Sequence, residues 1–242
     1  MWHLAWFRRA LPAAFLVAAP SLAEAQADRV DLELVLAVDV SRSMDFEEQE
    51  LQRDGYVAAF RHPEVLAAIA SGPLGRIAVT YVEWAGPEIQ TVLVPWTVLA
   101  SSEDAFAFAD RIATAEALRE RGTSISGSLE FAASLFAGSG VSGFRRTIDV
   151  SGDGPNNMGL PVARVRDDVL AAGITINGLP IMLRPGVAFG AFNIVDLDIY
   201  YEDCVIGGPG AFIVTVDDAA QFPSAIGGSW FSRSPASNRS RR

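Results

Sequence analysis

The stretch that most constrains this chain is the apolar run Leu32 to Val38, which ends in Asp39-Val40-Ser41-Arg42-Ser43. Leu32, Leu34, Val35, Leu36 and Val38 leave no polar face, so the run reads as a strand covered on both sides, as in parallel sheets. Such a strand needs helices above and below it and places the chain among α/β folds. Past the strand, Asp39, Ser41 and Ser43 alternate with Val40 and Arg42. In an extended or loosely turned segment this spacing lets one carboxylate and two hydroxyls converge. Hard oxygen donors of that kind suit Mg²⁺, Mn²⁺ or Ca²⁺ rather than zinc or copper. The turn also falls at the carboxyl end of a strand, where open α/β sheets bind ligands.

Strand-like and helix-like segments alternate along the rest of the chain, which predicts a doubly wound, mostly parallel central sheet flanked by helices. Asp45 to Arg61 has helical spacing, with Phe46, Leu51, Val57 and Phe60 as its apolar positions and Asp45, Glu47 and Glu48 in the first turn. Pro63 to Ile69 continues as a short helix. Arg76 to Trp84 and Ile89 to Leu99 are strands joined through Gly86-Pro87, the second an antiparallel edge strand that tolerates Pro95. A helix capped by Ser101 or Ser102 runs to about Leu118, and another from Ser126 to Ala137 turns Leu129, Ala133 and Phe136 to the sheet. Thr147 to Val150 is a buried strand, Val162 to Ala172 a helix stopped by Gly173, and Ile174 to Ile181 a strand. Ile194 to Val205 reads as a helix, with a strand as the alternative. Ala211 to Val216 is the last strand, and Asp217 to Ile226 the last helix.

The Asp-x-Ser-x-Ser pattern resembles the metal-ion-dependent adhesion site of von Willebrand factor A domains, where a distant Thr and a distant Asp complete the set. Both are present in order: Thr123 in Arg121-Gly122-Thr123-Ser124, and Asp153 in Ser151-Gly152-Asp153-Gly154. The resemblance covers roughly Val30 to Ile226 and implies a Rossmann-like von Willebrand A fold. More narrowly, Tyr81-Val82-Glu83-Trp84 and Asp203-Cys204-Val205-Ile206-Gly207-Gly208-Pro209-Gly210 resemble a bacterial group of exported A-domain-like proteins, a group that implies no activity. The adhesion-site resemblance implies that Asp39, Ser41, Ser43, Thr123 and Asp153 hold a divalent cation. Ser41, Ser43 and Thr123 would give it hydroxyls, and Asp39 and Asp153 would ligate it or hold its waters. Its open position would capture a Glu or Asp side chain of a protein partner. Each residue also has an ordinary reading: Ser41 and Ser43 as caps of the helix from Asp45, Thr123 as a helix cap, Asp153 as a turn aspartate. Glu83, Trp84 and Trp96 come from neighbouring strand regions and Asn156 and Asn157 follow Asp153, so they are candidates for a partner-binding rim, with Trp84 more at home in the core. Phe189 to Asn193 reads as a loop insertion, and Asp149 departs from the apolar pattern without an assigned role.

The N-terminus reads as an export signal over residues 1–27: Arg8 and Arg9, an apolar core from Ala10 to Pro20, and small-residue cleavage sites at Ala23-Glu24-Ala25 or Ala25-Gln26-Ala27. The apolar core is too short to span a bilayer unless extended. The expected organisation is this signal, one A-like domain over residues 28–226, and a disordered Ser- and Arg-rich tail over 227–242. The mature protein is then periplasmic or secreted, without stable membrane insertion. The chain carries a formal charge of −10; losing two Arg and one Glu with the signal gives −11. That sign disfavours nucleic acid and anionic membranes and helps retain a cation.

Absences narrow the chemistry. The chain has no lysine, so a phosphate loop of the Walker type, a Schiff base and a Ser-x-x-Lys acylase are excluded. Past the signal, His62 is the sole histidine and Cys204 the sole cysteine, too few for a closed zinc site or a disulfide. Cys204, followed by the apolar Val205 and Ile206, is expected to be buried and inert. Gly122-Thr123-Ser124-Ile125-Ser126-Gly127 only imitates a nucleophile elbow. The leading expectation is a non-enzymatic, cation-dependent protein-binding module. The alternatives are a metal-dependent hydrolase and a structural domain with a vestigial metal site.

Overall fold

A computed structural model describes residues 28–116, 118–183 and 196–217. The Leu32–Val38 run forms strand β2 (Glu33–Asp39), all seven residues buried, preceded by the short β1 (Asp28–Val30). Then come helices α1 (Phe46–Ala59) and α2 (Pro63–Ala70), strands β3 (Ile77–Trp84) and β4 (Gln90–Leu99), and helices α3 (Ser102–Thr114) and α4 (Ile125–Leu135). Strands β5 (Val141–Gly143) and β6 (Arg146–Gly152), helix α5 (Val162–Ala171), strand β7 (Thr175–Pro180) and helix α6 (Leu197–Tyr200) follow. A π-helical turn, Tyr201–Val205, continues α6.

The main sheet has the order β4-β3-β2-β6-β7, with only the β3–β4 pair antiparallel. From β2 the chain moves outward to β3 and β4, then returns to the other side of β2 as β6. The topological switch therefore lies between β2 and β6, and its crevice opens at their carboxyl ends.

Alternation along β2 splits the core into two layers. Leu34, Leu36 and Val38 meet Tyr56 of α1 and its C-cap Phe60, Val65 of α2 and Phe108 of α3. Val35 and Ala37 meet the other layer, with Leu129 of α4, Val165 of α5 and Tyr201. That two-sided cover is why β2 carries no polar face.

Several details depart from the expectations. Phe46 is 72% exposed rather than packed. Val57 and Phe60 are buried as expected, but the rest of the buried side of α1 is Glu48, Gln52, Gly55, Tyr56 and Ala59, a stripe whose polar head lies beneath the carboxyl ends of the strands. Helix α3 stops at Thr114, short of Leu118. Segment 211–216 is not a continuous strand; it touches β7 through isolated parallel bridges, Gly178 to Ile213 and Ile181 to Val216. Pro180 has no N–H to give, and the Phe212 N–H goes to the Asn177 side chain, so the ladder is broken from the β7 side. The parallel pair β1–β5 was not expected from sequence; three-residue strands are too short to show a period.

Asp149 acquires a structural account. It is fully buried inside β6 and accepts a 2.7 Å bond from Asn177 Nδ2, fixing the side chain that receives Phe212 N–H. Cys204 is half-buried and packs at the edge of the second core layer. Between 197 and 205 the helical reading holds. Among the described residues no helix is long and apolar enough to cross a membrane. The expected export signal, the Phe189 to Asn193 loop, the helix after Asp217 and the tail lie outside the described residues.

Candidate metal centre

Four of the five expected ligands form one hydrogen-bonded chain at the switch point. Asp39 ends β2 and is fully buried; its Oδ1 accepts from the backbone N–H of Ser41 at 2.7 Å. Ser43 Oγ donates to Asp153 Oδ1 at 2.7 Å. That uses its one hydroxyl proton, so Ser41 Oγ is the donor in the 2.7 Å contact between the two serines. Asp153 stands just past β6, so the chain bridges the carboxyl ends of the two strands flanking the crevice. Ser41 is buried and Ser43 exposed, which gives the group a closed floor and an open mouth.

Thr123 lies on the same edge but joins the group by a different route. Its loop is tied to the first by Glu120 N–H to Val40 O at 3.0 Å, and to the end of β3 by Ser124 N–H to Ala85 O at 2.7 Å. Asn157 then stitches it to the Asp153 loop. Its Oδ1 accepts from Thr123 N–H at 3.0 Å, and its own N–H donates to Thr123 O at 2.9 Å. Asn156 does the same for the start of α4, accepting from Ser126 N–H at 2.9 Å. The two asparagines are loop staples, a role that sequence reading did not assign.

The ordinary readings of the ligands are taken up by other residues. Asp45, not Ser41 or Ser43, is the N-cap of α1, in a capping box with Glu48. Ser124, not Thr123, caps α4. Trp84 is core, and Trp96 gives its indole N–H to Leu135 O. Glu83 is paired with Arg53 at 2.6 Å, and Arg53 also reaches Ala115 O, so this ion pair braces the loop after α3. Above the site, the Arg119 guanidinium lies 4.6 Å from the centre of the exposed Phe46 ring and binds Met44 O.

Electrostatics favour a cation here. Burial raises Asp39 well above the ordinary carboxylate range, and the neighbouring Asp153 charge raises it further. Asp153 is pushed up to about 6, first by burial and then by the Glu48 charge, against the lowering bond from Ser43. Asp39 Oδ2 is buried without a hydrogen-bond partner. Gly152 makes room for it, since a Cβ there would stand 2.8 Å from Oδ2. Among the described residues no three His, Cys, Asp or Glu side chains cluster, so the set is two carboxylates and hydroxyls. An orphaned carboxylate oxygen beside a second carboxylate and hydroxyl donors fits a hard divalent ion.

Comparison with solved structures gives the same architecture. Proximal thread matrix protein 1 from the mussel byssus, in the form with a zinc-occupied MIDAS motif, is 16% identical with a TM-score of 0.59. The match covers 82% of this chain and 46% of that one, so the chain spans just under half the mussel protein's length. A von Willebrand factor type A protein from Catenulispora acidiphila is 13% identical (TM-score 0.55), over 82% of this chain and 41% of the other. The conserved hypothetical protein BatB from Bacteroides thetaiotaomicron is 18% identical (TM-score 0.54), over 82% of this chain and 96% of its own. At such identities the likeness is one of fold. No curated protein sequence matches the chain. The sequence profile of one family covers residues 29–228, so the chain belongs to the family described as Protein of unknown function (DUF1194), built on the von Willebrand factor A fold.

Proposed function

We propose that this chain is an exported, divalent-cation-dependent protein-binding module that captures an acidic side chain of its partner. The observation that carries the reading is the hydrogen-bonded chain from Asp39 through Ser41 and Ser43 to Asp153 at the switch point, with one Asp39 oxygen left over. Asp39, Ser41, Ser43, Thr123 and Asp153 would hold the ion, Mg²⁺ or else Mn²⁺ or Ca²⁺. Bound there, the ion supplies an electrophilic centre with an open position for a partner carboxylate. The protein's part is to keep the donors few, mostly neutral and fixed, with exposed Ser43 at the entrance. Hard-donor reasoning set zinc aside, yet the mussel domain holds zinc in its motif, so zinc belongs among the ions to be tested.

Metal-dependent hydrolysis is the weaker reading. It would have to move protons and charge through Asp, Glu, Arg or Tyr alone, since lysine is absent and His62 Nδ1 accepts from Glu64 N–H at the start of α2. Export rests on the composition of residues 1–27.

The test is calorimetric titration of Mg²⁺, Mn²⁺, Ca²⁺ and Zn²⁺ into metal-stripped protein, beside Asp39→Ala and Thr123→Ala. Saturable one-site binding is expected, lost in both variants, with retention of the protein on an immobilised Glu-rich peptide that EDTA abolishes. Metal uptake that survives in both variants would place the ion elsewhere. No uptake by the folded wild type would leave a structural domain.

A further inference from the structure

Two buried polar atoms near the centre lack partners and have complementary chemistry. One is Asp39 Oδ2, an acceptor; the other is the hydroxyl of Tyr201, a donor. Both face the same point above the Cα of Gly152: a Cβ built there would lie 2.8 Å from Asp39 Oδ2 and 3.0 Å from Tyr201 Oη. Unpaired buried groups are rare in native proteins, and a donor and an acceptor left over at one spot call for a common account.

We propose that Tyr201 is a positioning residue of the metal centre, whose phenol donates to Asp39 Oδ2, directly or through one water, across the gap that Gly152 keeps open. The inference rests on the metal-binding reading above and adds to it a residue far from the ligand motifs in sequence. Tyr201 is fully buried in the second core layer with Leu197 and Val205, so its ring is held by packing. It opens the π-helical turn after α6, and such turns occur disproportionately at functional sites. Its neighbour Tyr200 contacts the same region, accepting from Asn156 N–H at 3.2 Å just past Asp153. The tyrosine pair thus meets both carboxylate-bearing strand ends. A phenol on Asp39 Oδ2 fixes the carboxylate's tilt and leaves it a charged acceptor, the usual task of groups behind metal ligands. Any residue larger than glycine at 152 would fill the gap.

The test compares Mn²⁺ titrations of the metal-stripped wild type, Tyr201→Phe and Gly152→Ala. Tyr201→Phe keeps the ring and removes only the hydroxyl. A roughly 10-fold loss of Mn²⁺ affinity is expected for it, with a modest fall in the metal-free urea midpoint because a buried hydrogen bond is lost. Mn²⁺ is also expected to perturb the near-ultraviolet tyrosine absorbance of the wild type, a signal reduced in Tyr201→Phe; a purely structural tyrosine would move neither readout. Gly152→Ala is expected to lose at least as much affinity. Wild-type uptake matched by Tyr201→Phe overturns this inference alone. No uptake by the wild type overturns the metal reading and this inference with it.

Discussion

Asp153 holds its proton to about 6 because burial removes its water and Glu48 adds a like charge, whereas in the unfolded chain it titrates near 3.8. Between those values the native protein binds more protons than the unfolded one, so this group's contribution to stability falls as pH rises through the window. It is fully present below about 4 and gone above about 6. Asparagine mimics the protonated form at every pH. Metal-free Asp153→Asn is therefore expected to match the wild type in urea midpoint near pH 4 and to exceed it near pH 7. Equal midpoints at both ends would show that Asp153 is not strained by its surroundings. Saturating divalent cation should close the gap at neutral pH, because the ion neutralises the wild-type carboxylate and finds a poorer ligand in the variant. At this scale the spacing of Asp39, Ser41, Ser43 and Asp153 at two strand ends was enough to foresee that they meet in one place. Tyr201 and the Asn156–Asn157 staples were not legible. Their roles depend on which loops meet in space, and no local pattern marks an asparagine that accepts from a backbone 34 residues away.

Among the elements, the weakest connection in the site is that of the Thr123 loop. The other four candidate ligands are linked through at least one side chain each, whereas Thr123 is held by its backbone N–H and C=O, chiefly by Asn157. Replacing Asn157 with alanine removes the acceptor for a part-buried N–H, at a cost of about 1–3 kcal/mol. The Asn157 backbone N–H to Thr123 O remains, so the loop should loosen rather than detach. Asn157→Ala is expected to lower divalent-ion affinity about 10-fold while leaving the Asp39-to-Asp153 chain in place. Thermal melts with and without Mn²⁺ would separate the two effects. An unchanged affinity would mean that Thr123 does not bear on the ion. Element type and order followed from hydrophobic period and caps, as with β2 and the Asp45 capping box of α1. The failures have local causes. Phe46 has helical spacing but faces solvent under Arg119, because α1 turns its Glu48 and Gln52 stripe towards the strand ends; Gln52 Nε2 donates there to Asp39 O at 2.9 Å. Segment 211–216 has a strand's composition, but its partner strand contains Pro180.

For the molecule as a whole, the switch between β2 and β6 places two carboxylates where the sheet leaves a crevice, in a chain whose formal charge is −10. Folding brings Asp39 and Asp153 together against burial and mutual repulsion, and a divalent ion bound there would offset that cost only in the native state. Ion binding should therefore be visible as global stability. At a free concentration 100 times the dissociation constant, linkage gives about 2.7 kcal/mol, which for a domain of this size raises the melting temperature by roughly 5–10 °C. The rise should grow with the logarithm of ion concentration and vanish in Asp39→Ala. It should also shrink as NaCl is added, since the surrounding acidic surface attracts the ion over distances that salt screens. A melting temperature indifferent to divalent ions across that range would mean that the carboxylate pair is tolerated as a protonated site. The fold would then keep the geometry of a metal centre without its function.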